Sequence, residues 1–233
     1  MVERWDVITI GNLSRNRYWG EDEARPVRAT LCTTTLITGT GFRLLVDPSC
    51  EDADRMAAEL NRRTGLQPAA VDAVFVTHAH GDHHAGLRHF PSASWLAAPG
   101  VAAAINASNA YPKAVEPVSG FSAGRPRCGS PVPGATVNPA RREDPAPTRL
   151  FEAIDVIPTP GHTLDHHSLT FVCDGLTVAI TGDAVMTKDF WRDRRGFFNS
   201  VDLALSTETM NRLAAIADII VPGHDNAFLI SPR

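Results

Sequence analysis

"VFVTHAHGDHHAG", Val74 to Gly86, carries an apolar run directly into four histidines and one aspartate within seven positions. Val74, Phe75 and Val76 have the β-branched and aromatic composition of a strand, which the polar cluster beyond Thr77 cannot continue. His78 and His80 are two residues apart, and Asp82 and His83 come after the flexible Gly81. In extended or loop backbone such a set curls around a point instead of lining one helix face. Imidazole nitrogens with a carboxylate suit a metal cage, for zinc and equally for iron or manganese.

Elsewhere in the chain the same design recurs, an apolar run that stops at a polar or ligating residue. "FRLLVDPS" stops at Asp47, "IDVIPTPGH" at His162, "TVAITGD" at Asp183 and "ADIIVPGH" at His224. Near-continuous runs rich in Val and Ile predict strands buried on both faces, so helices must cover the sheets. "PSCEDADRMAAELNRRTG" supplies one such helix, with Ser49 as its cap, Glu51 and Asp52 in its first turn, and Arg62, Arg63 and Gly65 at its end. "LSTETMNRLAAIAD" supplies another, capped by Ser206 or Thr207, with Met210, Leu213, Ala214 and Ala217 on one face.

The strand ends bring the candidate ligands to seven: His78, His80, Asp82, His83, His162, Asp183 and His224. One cation seldom takes so many, and seven groups fit two cations sharing one bridge. His84, His89, His166 and His167 stay outside this set. His166 and His167, four and five residues past His162, are placed to orient a ligand from behind, a support that metal-binding histidines usually require.

Composition bounds the partner. The 233 residues are 43% hydrophobic, enough for one sizeable core, and a single domain over 1–233 is expected. With 22 basic against 26 acidic residues and a net charge of −4, no electropositive field advertises nucleic acid or an anionic membrane, which leaves a small molecule as the expected partner. "MVERWDVITI" has acids at Glu3 and Asp6 and no apolar core of a signal peptide, and no run of 18 apolar residues predicts a membrane span. Cys32, Cys50, Cys128 and Cys173 lie far apart without C-x-x-C spacing, so reduced structural thiols and a cytoplasmic location are expected. The oligomeric state is left open, a homodimer included. Tyr111 to Arg149, with 8 of the 17 prolines, 4 glycines and no periodicity, reads as a long loop inserted into the domain.

Through "THAHGDHHAG", "TPGHT", "TGDA" and "VPGHD" the chain resembles the metallo-β-lactamase fold superfamily, from about Leu31 to about Asp225. The resemblance implies a four-layer αβ/βα sandwich of the α/β class, with two metals at one edge between two β-sheets. It implies that His78, His80 and His162 hold the first metal, that Asp82, His83 and His224 hold the second, and that Asp183 bridges them. Asp47 is similar to the family's aspartate that supports the histidine loop without binding metal. Two divalent ions, foremost Zn²⁺, then lower the pKa of a shared water so that hydroxide can attack a carbonyl, with Asp82 also passing a proton to the leaving group.

The site resembles those of glyoxalase II and acyl-homoserine lactonases more than classical β-lactamases, which are exported and place Cys or Ser near the second metal instead of a bridging aspartate. The lactonases carry a substrate-polarising tyrosine three residues after the bridge, where this sequence has Met186. Glyoxalase II carries a C-terminal helical region for glutathione, whereas nine residues come after His224 here. The resemblance therefore implies a metallo-hydrolase of a small ester, lactone or thioester. A mononuclear iron dioxygenase of the persulfide dioxygenase type, and β-lactamase or phosphodiesterase activity, are the alternatives on the same fold.

"TKDFWRDRRGFFNS", Thr187 to Ser200, comes almost directly after Asp183. From Lys188 to Phe198 it holds four basic residues against two acids, interleaved with aromatics. Two readings stand: a pocket wall in which Trp191 packs on substrate and Arg192, Arg194 or Arg195 pairs with an anion, or a solvated loop whose aromatics anchor it to the core.

Overall fold

The computed structural model describes residues 1–118 and 148–230. Most of the proline-rich insertion therefore lies outside the described residues, as does Cys128. Its two flanks carry short strands rather than loop alone.

The first half builds a six-stranded sheet. β1 (Val2–Thr9), β2 (Thr34–Gly39) and β3 (Phe42–Val46) are antiparallel in sequence order, and β4 (Ala73–Val76), β5 (Ser94–Ala97) and β6 (Glu116–Pro117) continue it in parallel. The second half builds another. β7 (Thr148–Leu150), β8 (Ile154–Pro158), β9 (His167–Cys173) and β10 (Leu176–Gly182) are antiparallel, then β11 (Ile219–Pro222) runs parallel to β10, and β12 (Phe228–Leu229) closes the edge. The helices are α1 (Ala53–Thr64), α2 (Gly81–His84), α3 (Pro99–Ala107), α4 (Lys188–Arg192) and α5 (Leu203–Ile216).

The two-residue period of a strand explains why both sheets are buried on both faces. Leu44 and Val46 of β3 and Ala73 and Phe75 of β4 point between the sheets, where they meet Leu169, Phe171, Val178, Ile180 and Val221. Their neighbours Leu45, Val74 and Val76 point the other way, onto Met56 and Leu60 of α1 and Val101 and Ile105 of α3. In the second sheet Ala179 and Ile220 face outward onto Met210 and Leu213 of α5 and Trp191 of α4. Each fully buried side chain of this size stabilises the fold by roughly 1.5–3 kcal/mol. The result is helix, sheet, sheet, helix: the four-layer sandwich expected from the sequence.

Both long helices start differently from the sequence reading. Asp52, not Ser49, caps α1, its carboxylate accepting from the Arg55 N–H at 3.0 Å. Ser49 is instead buried and donates to the Cys32 carbonyl at 2.9 Å, tying the turn after β3 to the approach of β2. α5 begins four to five residues earlier than expected, at Asp202, which accepts from the Leu205 N–H at 2.9 Å. Ser206 and Thr207 lie one turn inside, their hydroxyls bonded back to the carbonyls of Asp202 at 2.8 Å and Leu203 at 3.1 Å. Among the described residues no helix is long and apolar enough to cross a membrane.

Strand direction decides where the chemistry goes. The C-terminal ends of β1, β3 and β4 and the N-terminal end of β2 share one edge of the first sheet, as the antiparallel and parallel pairings require. In the second sheet the C-terminal ends of β8, β10 and β11 share an edge with the start of β9. The two edges lie together, because the Thr77 carbonyl just past β4 accepts from the His167 N–H at the start of β9 at 3.0 Å.

Candidate metal centre

Asp47 sits just beyond β3, almost fully buried and at φ +50°, a backbone region that Asp and Asn tolerate better than most residues. Its carboxylate accepts three hydrogen bonds: from the Thr77 N–H at 2.8 Å, from the Thr77 hydroxyl at 2.8 Å and from His83 Nδ1 at 2.9 Å. It thus clamps the turn that leaves β4 and fixes a His83 proton on Nδ1, so that Nε2 is the nitrogen facing inward. Thr77 is one of the site residues that the sequence reading missed. A lone threonine before a histidine gives no signal until the fold brings Asp47 beside it.

The seven candidate ligands fall into two groups that meet at Asp183. In one, His78 Nε2 lies 3.1 Å and His162 Nε2 2.9 Å from His80 Nδ1, and Asp183 Oδ2 lies 3.7 Å from His78 Nε2 and 3.2 Å from His162 Nε2. In the other, Asp183 Oδ1 lies 3.1 Å from both His83 Nε2 and His224 Nε2, and Asp82 Oδ2 lies 3.7 Å from His224 Nε2. Among the described residues, two of the three sets of side chains with the spacing to hold an ion are His78, His80, His162 and Asp183, and Asp82, His83 and His224. The third, Cys32, Asp47 and His83, shares His83 with the second.

Whether these groups fit a cation is answered by two orphans. His83 Nε2 and Asp183 Oδ1 are buried and close, yet neither has a hydrogen-bond partner among the described residues. A buried polar atom left so is destabilising by about 1–3 kcal/mol, and lone pairs that converge without a proton between them are what a divalent ion satisfies. The donor set of imidazoles and carboxylates fits as well.

Backbone geometry forces the convergence. A Cβ on Gly223 would collide with Asp183 Oδ1, so only glycine lets the chain leaving β11 pass beneath the carboxylate. Gly182, at φ +46°, leaves no room for a side chain between Thr77 and His166. His224 is aimed by its Nδ1, 2.9 Å from the Leu31 carbonyl, and His162 by the Ser200 hydroxyl at 3.5 Å. Thr30 donates to Asp82 at 3.2 Å. Leu31, Ser200 and Thr30 also went unmarked in the sequence.

Electrostatics favour the binding form at Asp183, His162 and His78. Burial opposes charge on Asp183, but His224, His83 and His162 around it outweigh that and hold its carboxyl well below the usual carboxylate range. Burial pushes His162 down to about 4, and with His83 nearby it drives His78 far below an ordinary histidine. Against the effect of burial, Cys32, Asp183 and Asp47 raise His83 and Asp183 raises His224, so without metal these two favour a proton that an ion would displace on binding. His80 and Asp82 are only half-buried while the other five are buried, so they mark the open side of the centre.

His166 lies outside both groups. Its ring centroid is 4.9 Å from that of His78 and its Nδ1 is 2.9 Å from the Thr159 hydroxyl, so it backs His78 by packing without bonding to it. In the aromatic and basic stretch after Asp183, Trp191 and Arg194 take the anchoring role of the two readings. Trp191 is buried against Phe228 on the outer face of the second sheet, because its side chain leaves α4 on the side that packs on that sheet. Arg194 lies over the Trp191 ring at 3.9 Å and donates to the Trp191 carbonyl, and Arg192 reaches Asp189 at 3.4 Å and Asp193 at 3.5 Å. Arg195 is exposed. Trp191 and Arg194 anchor the segment, and Ser200 is its residue that touches a ligand of the centre, His162.

Comparison with known proteins agrees with this geometry. Residues 27–224 match the model of the metallo-beta-lactamase superfamily. Metallo-beta-lactamase domain-containing protein 1 of Rattus norvegicus is 26% identical over 71% of this chain and 55% of its own length, and that of Homo sapiens 27% identical over 71% and 52%. The chain thus spans about half the length of the curated relatives it matches. Among solved structures, a putative metallo-beta-lactamase from Thermotoga maritima superposes with TM-score 0.66 at 17% identity, covering 98% of this chain and 99% of that one. A probable metal-dependent hydrolase from Staphylococcus aureus gives TM-score 0.63 at 15% identity over 97% and 92%. AidC, a dizinc quorum-quenching lactonase, gives 0.62 at 13% identity over 87% and 76%. With the sandwich, the buried histidine and aspartate centre and the family match in agreement, the chain belongs to the metallo-β-lactamase superfamily.

Proposed function

We propose that the protein is a dinuclear metallo-hydrolase of a small ester, lactone or thioester. The observation that carries this reading is Asp183, whose Oδ2 faces His78 and His162 while its Oδ1 faces His83 and His224. His78, His80 and His162 would hold one divalent ion, Asp82, His83 and His224 the other, and Asp183 both; zinc suits this donor set, and iron or manganese remain within it. Bound there, the ions would supply Lewis acidity and a water deprotonated near neutral pH. In the net reaction one water is consumed: a bond forms between its oxygen and the acyl carbon, the bond to the leaving oxygen or sulfur breaks, and a proton passes to the leaving group. Asp82 is suited to that transfer, since its side chain is 22% exposed against 5% for Asp183 and is held by the Thr30 hydroxyl.

Dizinc lactonases of the same fold support lactone among the candidates, and Met186 narrows it. Three residues past Asp183, Met186 is buried with Leu13, Phe190 and Phe197 and offers no hydroxyl to polarise a carbonyl. Metal analysis of purified protein tests the reading, together with a panel of lactones, thioesters, aryl esters, cephalosporins and a phosphodiester. Two transition metals per chain and a strong preference for one carbonyl class are expected. One iron per chain with dioxygen consumption would refute it.

A further inference from the structure

The connection from β1 to β2, residues 10–33, leaves and re-enters the first sheet at the edge that carries the metal ligands. It is pinned there from several sides. The Leu31 carbonyl lies 2.9 Å from His224 Nδ1, the Thr30 hydroxyl reaches both the Asn12 carbonyl and Asp82, and Leu13 packs on Met186, Phe190 and Phe197. Arg15 stands two residues after Leu13. Its guanidinium lies over the ring of Phe198 at 4.6 Å from the centroid. Phe198 in turn stands two residues from Ser200, whose hydroxyl touches His162. The arginine thus stacks on a segment that touches one ligand of the centre and belongs to a connection that touches two others, Asp82 and His224.

Arg15 is set apart from the other arginines around this rim by a buried Nε without a partner, since Arg25 and Arg195 also form no ion pair among the described residues but are exposed. Arg17 reaches Glu23, Arg28 pairs with Glu21, Arg192 bridges Asp189 and Asp193, and Arg194 is committed to Trp191. The Arg15 side chain forms no ion pair among the described residues, and its Nε is buried with no hydrogen-bond partner. A guanidinium over an aromatic face keeps its in-plane N–H groups free of the ring, in the fork that matches an oxyanion. Phe198 is 41% exposed although it is a large apolar side chain, so the stack stands at the surface.

We propose that Arg15, stacked on Phe198, is a specificity-determining residue that receives an oxyanion of the substrate, of carboxylate or phosphate type. The substrate of the centre is then an anionic ester or thioester, not a neutral one. This rests on the hydrolase reading above for the word substrate, while the anion-binding role of Arg15 stands on the rim geometry.

The test measures binding without turnover, then kinetics. Protein with its metals as isolated is titrated by calorimetry with succinate and, separately, inorganic phosphate, and Arg15→Gln is compared with Arg62→Gln, which makes the same charge change on α1. Arg15→Gln weakens whichever oxyanion binds on the order of 10- to 100-fold, the range of a charge-assisted hydrogen-bond pair, while Arg62→Gln leaves it unchanged. The two titrants decide between carboxylate and phosphate. For a hemisuccinate aryl ester, KM rises by a similar factor in Arg15→Gln while kcat/KM for the neutral acetate ester stays within about twofold. Metal content stays at the wild-type level. Phe198→Leu, at an exposed position, removes the stack without opening the core and raises the anionic KM by a smaller factor. The proposal is overturned if the wild type binds neither oxyanion, if both arginine variants weaken binding equally, or if Phe198→Leu and Arg15→Gln leave the anionic KM unchanged. Failure to hydrolyse any ester would refute the hydrolase reading instead, since the titrations report on Arg15 without it.

Discussion

Asp47→Asn separates what holds the fold from what prepares the metal site. The amide is isosteric, and Asn tolerates the φ of +50° at this position as well as Asp does. Its carbonyl oxygen still accepts from the Thr77 N–H, which lies 2.8 Å from the wild-type carboxylate. The NH₂ group replaces the oxygen that accepts from the Thr77 hydroxyl and from His83 Nδ1. The hydroxyl can turn and accept, but the histidine cannot keep its proton on Nδ1 against another donor. It must move that proton to Nε2, which then points N–H at Asp183 Oδ1 and occupies the lone pair meant for a cation. One lost charge-assisted bond in a buried setting predicts a stability loss of about 1.5–3 kcal/mol for the metal-free protein. Loss of the histidine's orienting carboxylate predicts roughly 10- to 100-fold weaker binding at the group of Asp82, His83 and His224. The group of His78, His80 and His162 should keep its affinity within a few fold. Chelator competition on wild-type and variant protein, with calorimetric unfolding of each metal-free form, gives both numbers. Two metal equivalents bound with wild-type affinity would refute the assignment of Asp47 as the group that sets the His83 tautomer.

Gly223→Ala should remove metal from the protein and destabilise it by more than about 2 kcal/mol, because the added Cβ collides with Asp183 Oδ1; unchanged melting and metal content would contradict the close approach. The metal-free protein should lose stability as pH falls. His162 is held at about 4 against 6.5 unfolded, so its contribution is complete above pH 6.5 and disappears between 6.5 and 4, where the unfolded chain binds the extra proton. That amounts to about 3 kcal/mol, and denaturant midpoints that stay flat over this range would contradict it. Cys32, Cys50 and Cys173 are buried free thiols, with Cys32 pushed up to about 12 by burial, so none of the three should react with a thiol reagent before unfolding. Rapid labelling of Cys32 in native protein, located by peptide mapping, would contradict the packing around the histidine loop.

The features legible in the sequence share a physical cause. A strand buried on both faces must be apolar at every position, so Leu44–Val46, Val74–Val76 and Val178–Ile180 announce themselves, and the first polar residue after each is conspicuous by contrast. That is why Asp47, the histidine stretch, His162, Asp183 and His224 could be read off as strand ends. The helix starts were harder, since Ser49 and Ser206 satisfy the same local cap preference as Asp52 and Asp202. Tertiary demands chose between them: Ser49 is taken by the Cys32 carbonyl, and Ser206 lies one turn into a helix whose start is fixed by Asp202. Thr77, Thr30 and Ser200 were invisible because each acts on a residue distant in sequence. Trp191 and Arg194 left two readings open because their composition suits both a binding wall and a buried anchor. Only the direction in which α4 packs decides.

The ligands tie the two halves of the sandwich to each other. His78, His80, Asp82 and His83 leave the first sheet, whereas His162, Asp183 and His224 leave the second. Each proposed ion would therefore draw ligands from both sheets, and Asp183 from the second sheet would face the histidines of the first in both groups. The apolar layer between the sheets, with Leu44, Val46, Phe75, Leu169, Phe171 and Ile180, holds the middle of the molecule by burial alone. At the ligand edge that layer gives way to polar side chains, and buried polar atoms there are left unpaired. Burial cannot hold that edge, because its groups are destabilising in the interior unless something satisfies them. The ions would thus close the sandwich where its hydrophobic core runs out, which makes the site and the mutual position of the sheets one structural problem with one solution.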